Sequence, residues 1–379
     1  MENPNNGRPT WADISLENLA FNLNSARDFI GREIRVMGVV KADAYGHGAV
    51  ECSQRLEAEN IDWLAVALPE EGVELRQAGI KKPILCLDGF WSGQESLLVE
   101  HDLTPVIYRI EDAERLNNAV GERGMTKNIH IKIDTGMGRV GIRWDAVAEF
   151  AKGLTEFTSL RVDGLMTHFA SADDLNEKDF TNLQIERFEK AVDVFHELGF
   201  NPTNIDLANS PGAIVHPNSR GNMVRLGGIL YGLGDDILPK NARKPEFRPV
   251  LSLRTRIAHL KTVPKGETLG YGRAFRTERD SVIATLPIGY HDGFTRRLSG
   301  SGRAIVNGKL VPTAGRISMD WTLLDITDLP DVNVGDEVTL IGESGGVEIR
   351  ASELAALTGT ISYEITCGIS QRVPRKYDQ

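Results

Sequence analysis

Short apolar runs alternate with amphipathic stretches along the first two-thirds of the 379-residue chain. The runs are apolar without clean alternation, as expected of parallel strands that helices cover on both faces. In residues 182–198 apolar side chains recur at roughly helical spacing, which indicates one buried face. The pattern predicts eight strands, over residues 34–40, 63–68, 84–87, 104–108, 129–134, 162–168, 204–207 and 223–226, and helices between them over residues 49–59, 70–78, 110–120, 145–153 and 182–198.

Eight strand–helix units within about 230 residues match the size of a (β/α)8 TIM barrel. The competing interpretation is an open, doubly wound sheet, which has the same alternation of strands and helices. We predict an α/β fold whose TIM barrel occupies residues 1–245. The first twelve or so residues are candidates to pack on the second domain instead.

The pattern changes near Lys240, where helical segments largely stop and alternating strands begin. Asn307-Gly308, between two apolar runs, is a strong hairpin signal. A short helix over residues 350–357 is expected to close this part of the chain. We therefore predict a mainly β domain over residues 246–379.

Charge and cysteine content narrow the class of protein. A formal net charge of −10 argues against nucleic-acid binding, because no basic surplus exists to displace counterions. Cys52, Cys86 and Cys367 are odd in number and far apart, which fits neither a disulfide framework nor a metal site and suggests a reducing compartment. The N-terminus lacks a signal-peptide pattern, and apolar runs are too short to cross a bilayer. We expect a cytoplasmic protein with no metal, nucleic-acid or membrane partner.

Lys41 follows the first apolar run, in VMGVVKADAYGHG. At that place in a barrel it lies at the carboxyl-terminal mouth, where barrel enzymes carry their chemistry. A partly desolvated lysine forms Schiff bases readily; a strand-end lysine reaching solvent is the ordinary alternative. The Gly46-His47-Gly48 turn could bring Tyr45 back to the same mouth.

A second pattern points to a different enzyme class. Residues 136–141 read GMGRVG, which satisfies the dinucleotide fingerprint G-x-G-x-x-G. An NAD-binding enzyme is therefore the second hypothesis. The motif follows the fifth strand rather than the first, however, and no acidic residue ends a strand about 20 residues later.

Three residues at later strand ends are candidates for holding a cofactor. Ser210, in ANSPGA, follows the seventh strand, and loops there and after the eighth strand often bind phosphate in barrels; serine before Pro-Gly is also simply a good turn. Arg225 lies within an apolar strand, where a guanidinium must find acceptors, a heteroaromatic nitrogen being one. His168 closes the sixth run and is either a packed residue or a ring that stacks on an aromatic cofactor.

In the β domain, Tyr271 stands between two glycines in GETLGYGRAF. An aromatic residue in a turn is the ordinary interpretation. A catalytic tyrosine there needs cations nearby, and these would have to come from the barrel, either its own or that of a partner subunit.

Taken in order, these segments make the chain resemble the alanine racemase family of pyridoxal-phosphate enzymes. The resemblance runs over nearly the whole chain, through TWADISLENLAFNL, VVKADAYGHG, IKIDTGMGRVG, MTHFASAD, ANSPGA, MVRLGGILYG, GETLGYGR, LPIGYHDGFTRRLS, AGRISMDWTLLDIT and CGISQRVPRKY. Each string alone is modestly specific, whereas all of them at family spacing are highly specific.

The resemblance implies a two-base mechanism and a homodimer whose active sites are shared between subunits. Lys41 would bind pyridoxal 5'-phosphate and act as one base, and Tyr271 of the other subunit would be the base on the opposite face. Arg225 would face the pyridine nitrogen, while His168 would line the ring and support Tyr271. The family also implies a bacterial cytoplasmic enzyme that supplies D-alanine for peptidoglycan.

Further roles are carried over by matched position. The phosphate would be bound by four residues, Tyr45, Ser210, Gly227 and Tyr363. Arg139 would reach the cofactor's phenolic oxygen and the substrate carboxylate, which the backbone of Met319 would also meet. Lys132 matches the family's carbamylated lysine, whose negative charge would hold Arg139, and Tyr290 matches a residue of the substrate entryway.

One position departs from the family, because Ser318 stands where cysteine is usual. The neighbouring residue, Met319, would meet the substrate through its backbone, so we expect activity to survive.

A cofactor-carrier protein with the same barrel is disfavoured because it lacks a β domain. Amino-acid decarboxylases of similar plan are disfavoured because their glycine and cysteine motifs differ. A serine or broad-specificity racemase stays open, since a small pocket excludes one extra hydroxyl poorly.

Overall fold

The computed structural model describes residues 7–378. Its N-terminal part alternates strands and helices. In chain order these are β1 (Thr10–Ile14), α1 (Leu16–Ile30), β2 (Arg35–Val39), α2 (Lys41–Gly46), α3 (Ala49–Ala58), β3 (Trp63–Val66), α4 (Pro69–Gln77), β4 (Ile84–Cys86), α5 (Glu95–Glu100), β5 (Thr104–Ile107), α6 (Ile110–Gly121), β6 (Lys127–Asp134), β7 (Ile142–Arg143), α7 (Val147–Leu154), β8 (Leu160–Met166), α8 (Lys178–Glu197), β9 (Asn204–Asp206), α9 (Ser210–Val215) and β10 (Met223–Leu226).

Eight of these strands form one closed parallel barrel, in the order β2-β3-β4-β5-β6-β8-β9-β10. The closing pairs are β10 with β2 and β5 with β6, and both are parallel. The prediction of a TIM barrel is therefore confirmed, and the open-sheet alternative is wrong. Each of the eight predicted strands and five predicted helices is present, with ends shifted by a few residues.

Alternate residues of the strands face opposite sides, which divides the buried apolar residues into two groups. One group fills the barrel and includes Met37, Trp63, Leu85, Val106 and Met166. The other is a larger layer between the outside of the strands and the covering helices. Layers of this kind make the barrel a packed core rather than a pore, so its chemistry is confined to the rim.

The C-terminal part is mainly β. Its strands are β11 (Leu251–Arg256), β12 (His259–Val263), β13 (Thr268–Leu269), β14 (Phe275–Arg276), β15 (Ser281–Leu286), β16 (Arg303–Val306), β17 (Lys309–Pro312), β18 (Thr322–Asp325), β19 (Glu337–Ser344), β20 (Val347–Ile349) and β21 (Arg375–Tyr377), with helices α10 (Ala351–Thr358) and α11 (Ser362–Cys367). The predicted hairpin joins β16 to β17, and both turn residues have positive φ, 49° at Asn307 and 71° at Gly308. That geometry is the type I′ turn that Asn-Gly favours.

The two parts of the chain are joined through the N-terminal strand. β1 pairs antiparallel with β11 and parallel with β21, so residues 10–14 belong to the C-terminal sheet before the chain enters the barrel at α1. Residues 1–6, which belong to the segment expected to pack there, lie outside the described residues. A second link joins α11 to the barrel domain: the backbone N–H and the hydroxyl of Ser362 both donate to the carboxylate of Asp236, each at 2.7 Å. This contact fixes α11 against the barrel mouth.

Candidate active site

A cavity of about 530 Å³ opens at the carboxyl ends of the barrel strands. This volume lies within the range of small-molecule sites. Nine residues singled out from the sequence line it together: Lys41, Tyr45, Lys132, Arg139, His168, Ser210, Arg225, Gly227 and Tyr363. All but Tyr363 come from the barrel strands or the loops that follow them, and Tyr363 comes from α11 of the β domain.

Lys41 and Tyr45 are presented by α2, which is a left-handed turn. Ala42, Asp43, Ala44 and Tyr45 have φ between 51° and 56°, and their ψ values lie between 34° and 51°. The left-handed conformation costs an L-residue roughly 1–2 kcal/mol, and glycine is the residue that normally adopts it. Four successive non-glycine residues in this conformation mark a segment that its surroundings hold in place.

Hydroxyl and backbone groups gather at one end of the cavity. Ser210 Oγ accepts a hydrogen bond from the Gly227 N–H at 3.0 Å. A Cβ at Gly227 would meet the Tyr45 hydroxyl at 2.6 Å, and one at Gly228 would meet the Tyr363 hydroxyl at 2.5 Å. Burial raises the pKa of Tyr45 and Tyr363 well above the usual range. Both phenols are therefore neutral donors, which suits an anionic ligand such as phosphate.

Arg225 also lines the cavity, and it is buried. Its Nη1 is 2.5 Å from Asp206 Oδ2, and its Nη2 donates to the Thr167 carbonyl at 2.7 Å. The same Nη2 is 3.3 Å from His168 Nδ1. Burial, followed by the charge of Arg225, holds the pKa of His168 well below its usual range, so the imidazole is neutral at neutral pH. Asp206 thus compensates the charge of a guanidinium that still faces the cavity.

Lys132, on β6, is 5% exposed. Burial is the largest cause that lowers its pKa to about 7, and the charges of Arg225 and Arg139 add to it. A large fraction of this lysine is therefore an uncharged amine at neutral pH. Such an amine is a nucleophile, unlike the ammonium of an ordinary surface lysine.

Three predicted site residues lie elsewhere in the chain, all in the β domain. Tyr271 begins a short turn after β13 and is 68% exposed, while Met319 and Tyr290 are 50% and 40% exposed. Tyr271 lines a different pocket from the one that contains Lys41, together with Arg316, Ser318 and Trp321. Within the part of one chain that the structure describes, Tyr271 is not among the residues lining the Lys41 cavity.

Ser318, the departure from the family, builds a local turn. Its hydroxyl donates to the Trp321 carbonyl at 2.9 Å and accepts from the Trp321 N–H at 3.0 Å. The Ser318 carbonyl accepts from the Tyr290 N–H at 2.9 Å. The serine side chain therefore closes the turn that carries the backbone of Met319.

The glycine motif of the NAD hypothesis has a different use. Asp134 Oδ1 accepts from the Gly136 and Gly138 N–H groups at 2.9 and 3.0 Å. Those amides are then occupied rather than free to bind a pyrophosphate. The segment also leads into the short strand β7, and the next helix begins only at Val147. Both observations contradict the dinucleotide fingerprint.

Sequence reasoning missed Asp206 and His47, both fully buried. A signal for Asp206 existed, because a guanidinium in an apolar strand requires an acceptor on a neighbouring strand, and Asp206 ends the strand next to that of Arg225. The sequence pattern places His47 only within a turn. No such signal was available for it, because its partners are backbone carbonyls.

Two negative observations apply to residues 7–378. No helix in that range is both long enough and apolar enough to cross a membrane. No group of three or more His, Cys, Asp or Glu side chains in the same range is arranged to hold a metal ion.

Comparison with known proteins agrees with this geometry. Residues 14–235 match the family model for the alanine racemase N-terminal domain, and residues 250–377 match the model for the C-terminal domain. The alanine racemase of Halothermothrix orenii is 44% identical over 377 residues, which cover 98% of this chain and 97% of that protein. The alanine racemase of Clostridium novyi is 40% identical, with coverage of 98% and 95%.

Solved structures give the same result. The alanine racemase of Clostridium difficile 630 superposes with a TM-score of 0.92 at 39% identity, covering 98% of this chain and 96% of that one. The Bacillus anthracis enzyme with bound L-Ala-P superposes with a TM-score of 0.89 at 35% identity, again covering 98% and 96%. The chain therefore belongs to the alanine racemase family of pyridoxal-phosphate-dependent isomerases.

Proposed function

We propose that this chain interconverts L- and D-alanine with pyridoxal 5'-phosphate bound in the Lys41 cavity. The observation that carries the proposal is the arrangement of groups around Lys41. Hydroxyl donors lie together at Ser210, Tyr45 and Tyr363, and the Arg225 guanidinium lines the same cavity. A phosphorylated pyridine with an aldehyde needs these three kinds of group: donors for the phosphate, a polar partner for the ring nitrogen and a lysine for the carbonyl.

The residues fit that cofactor closely at the phosphate end. Gly227 leaves room for the Tyr45 hydroxyl, which a Cβ would meet at 2.6 Å. The Gly227 N–H, which donates to Ser210 Oγ at 3.0 Å in this structure, would exchange that acceptor for a phosphate oxygen, beside the hydroxyls of Ser210 and Tyr363. Arg225 would donate to the pyridine nitrogen, because the Asp206 carboxylate, 2.5 Å from Arg225 Nη1, holds the guanidinium in place.

When bound, the cofactor withdraws electrons from the substrate's α-carbon and so makes its proton removable. Racemisation then requires a proton acceptor on one face and a proton donor on the other. Lys41 Nζ would serve one face, and the phenolic oxygen of Tyr271, from a partner subunit, would serve the other. Arg139 and the backbone of Met319 would hold the substrate carboxylate, and Tyr290 would line the entrance.

We further propose that Lys132 is carbamylated. Carbon dioxide would form an N–C bond to the Lys132 Nζ while one proton leaves to solvent. An amine with a pKa of about 7 is about half unprotonated at pH 7, against roughly one part in several thousand for an ordinary lysine. The resulting carboxylate would pair with Arg139. In ¹³C-bicarbonate, NMR should detect a protein carbamate that Lys132→Ala abolishes; its absence from the wild type would overturn this assignment.

The assembly we propose is a homodimer with shared sites. Tyr271, Met319 and Trp321 expose 68%, 50% and 48% of their surface within one chain. Such large apolar groups together on one domain favour a protein interface. Mixing Lys41→Ala with Tyr271→Phe subunits should restore activity after exchange, since half of the mixed sites contain both bases. Continued inactivity after proven exchange would contradict shared sites.

The direct test is loss of optical rotation from L-alanine incubated with the protein and the cofactor, with L-serine in parallel. We expect rapid loss with alanine and little with serine. Equal rates would indicate a broad-specificity racemase, and no loss of rotation with either amino acid, despite bound cofactor, would overturn the proposal.

For its role in the cell, we propose a cytoplasmic bacterial enzyme that supplies D-alanine for peptidoglycan. We also propose that the enzyme consists of a barrel domain over residues 1–245 and a β domain over residues 246–379.

A further inference from the structure

The left-handed turn α2 carries both Lys41 and Tyr45 into the cavity. Its four non-glycine residues of positive φ include two alanines, which have no side-chain group to stabilise that conformation. Left-handed residues are normally isolated and are most often glycine. The turn therefore depends on contacts from outside itself.

Some of these contacts come from carboxylates. Glu71 Oε1 accepts from the Ala42 N–H at 2.7 Å, and its Oε2 accepts from the Ala67 N–H at the same distance. Asp43 Oδ1 accepts from the Ala49 N–H at 2.8 Å and so joins the turn to the start of α3. The Glu71 contact satisfies the N–H at the start of the turn, and the Asp43 contact ties the turn to the helix that follows it. Towards the end of the turn, the Ala44 carbonyl accepts from the backbone N–H of His47 at 3.1 Å, and a second donor is needed for the Tyr45 carbonyl.

His47 supplies such a donor. Its Nδ1 lies 2.8 Å from the Ala44 carbonyl and 3.0 Å from the Tyr45 carbonyl. Because carbonyl oxygens only accept, Nδ1 must carry the hydrogen, which fixes the tautomer. The ring is fully buried and stacks on Tyr231 with centroids 4.6 Å apart. Tyr231 in turn contacts the ring of Tyr45 at 5.1 Å and donates to the Val39 carbonyl at 2.8 Å.

We propose that His47 is the positioning residue for the cofactor lysine: its Nδ1–H holds the left-handed turn that presents Lys41 and Tyr45 to the cavity. The inference rests on the proposed function for the identity of the cofactor. The turn itself is a property of the protein without cofactor. His47 does not line the cavity and touches no reacting group.

The experiment compares two substitutions of nearly equal size. In His47→Asn the side-chain amide nitrogen takes the place of Nδ1 and keeps the donor. In His47→Gln the amide reaches only the place of Nε2, which has no partner among the described residues. Cofactor affinity is measured by titrating cofactor-free protein with pyridoxal phosphate and following the visible absorbance. We expect the Kd to rise at least tenfold in His47→Gln and less than threefold in His47→Asn.

Amide hydrogen exchange of the cofactor-free protein gives a second readout that needs no ligand. The Gly48 N–H donates to the Asp43 carbonyl across the turn, so peptides covering residues 41–49 should exchange at least tenfold faster in His47→Gln than in wild type, with His47→Asn close to wild type. Equal exchange in both variants would overturn the proposal, whether protection is kept or lost. If the wild type fails to bind pyridoxal phosphate while this difference in exchange persists, the proposed function fails and the role of His47 in the turn stands.

Discussion

The left-handed turn predicts an effect of glycine opposite to the one expected in an ordinary helix. Ala42 is exposed and has φ 53° and ψ 51°. Removing its Cβ relieves roughly 1–2 kcal/mol of steric cost. Glycine also makes the unfolded chain more flexible, which costs about 0.4–1 kcal/mol. We therefore expect Ala42→Gly to stabilise the cofactor-free protein by about 0.5–1 kcal/mol, which raises the midpoint of thermal unfolding by roughly 1–4 °C for a domain of this size.

The matched control is Ala119→Gly within α6, a right-handed helix of the same barrel. Glycine there should destabilise by about 0.5–1 kcal/mol. Differential scanning calorimetry of both variants and the wild type, without cofactor and at one protein concentration, measures the two shifts. We expect the two midpoints to shift in opposite directions. If Ala42→Gly lowered the midpoint as much as Ala119→Gly does, the Cβ of Ala42 would impose no steric strain on the left-handed turn.

Three further substitutions test other parts of the site. Asp206→Asn leaves the buried Arg225 without a counter-charge, so we expect it to lower the free energy of unfolding, measured in urea, by about 3–5 kcal/mol. The double variant Asp206→Leu with Arg225→Met removes both charges and should recover most of that loss. Gly227→Ala should raise the Kd for pyridoxal phosphate at least tenfold, because its Cβ would meet the Tyr45 hydroxyl at 2.6 Å, whereas Gly234→Ala, with neighbours at 3.6 Å, should leave it unchanged. Burial lowers the pKa of Lys132 to about 7 in the folded protein, whereas in the unfolded chain it is about 10.5. Below pH 7 the protonated lysine therefore reduces the free energy of unfolding by up to roughly 5 kcal/mol, and this loss shrinks as the pH rises towards 10.5. In bicarbonate-free buffer Lys132→Met should be more stable than wild type at pH 6, with the difference shrinking by pH 10; a difference that is constant with pH would contradict the assignment.

The barrel and most of its rim could be predicted because both follow from simple rules. Apolar runs of strand length, separated by helical periodicity, indicate a parallel sheet, and eight such units of this size favour a closed barrel, in which the carboxyl ends of the strands meet at one mouth. Lys41, His168 and Arg225 each end or occupy such a run, so their convergence follows once the strands are known. Their roles required the family resemblance, since position alone did not separate a catalytic lysine from a solvated one.

The partner of Arg225 and the turn after Lys41 could not be predicted, for different physical reasons. Asp206 could have been proposed as an acceptor, but the choice among acidic residues depends on the order and register of the strands. The segment from Ala42 to Tyr45 breaks a local preference, because alanine favours right-handed helix more than any other residue. The contacts that override that preference come from outside the segment, from His47 nearby and from Glu71 and Arg375 farther along the chain, and hydrophobic periodicity contains no information about them.

One of those distant contacts shows why the β domain belongs to the site of its own chain. Arg375, in β21, donates to the Gly46 carbonyl from Nε at 3.1 Å and from Nη2 at 3.0 Å, and these residues are 329 positions apart. Tyr363, from α11, reaches the same mouth. A barrel alone would therefore lack a donor that fixes the end of the left-handed turn and a hydroxyl of the proposed phosphate site. A carrier protein with an isolated barrel must hold its lysine in another way, whereas here the geometry of Lys41 is set jointly by both parts of one chain.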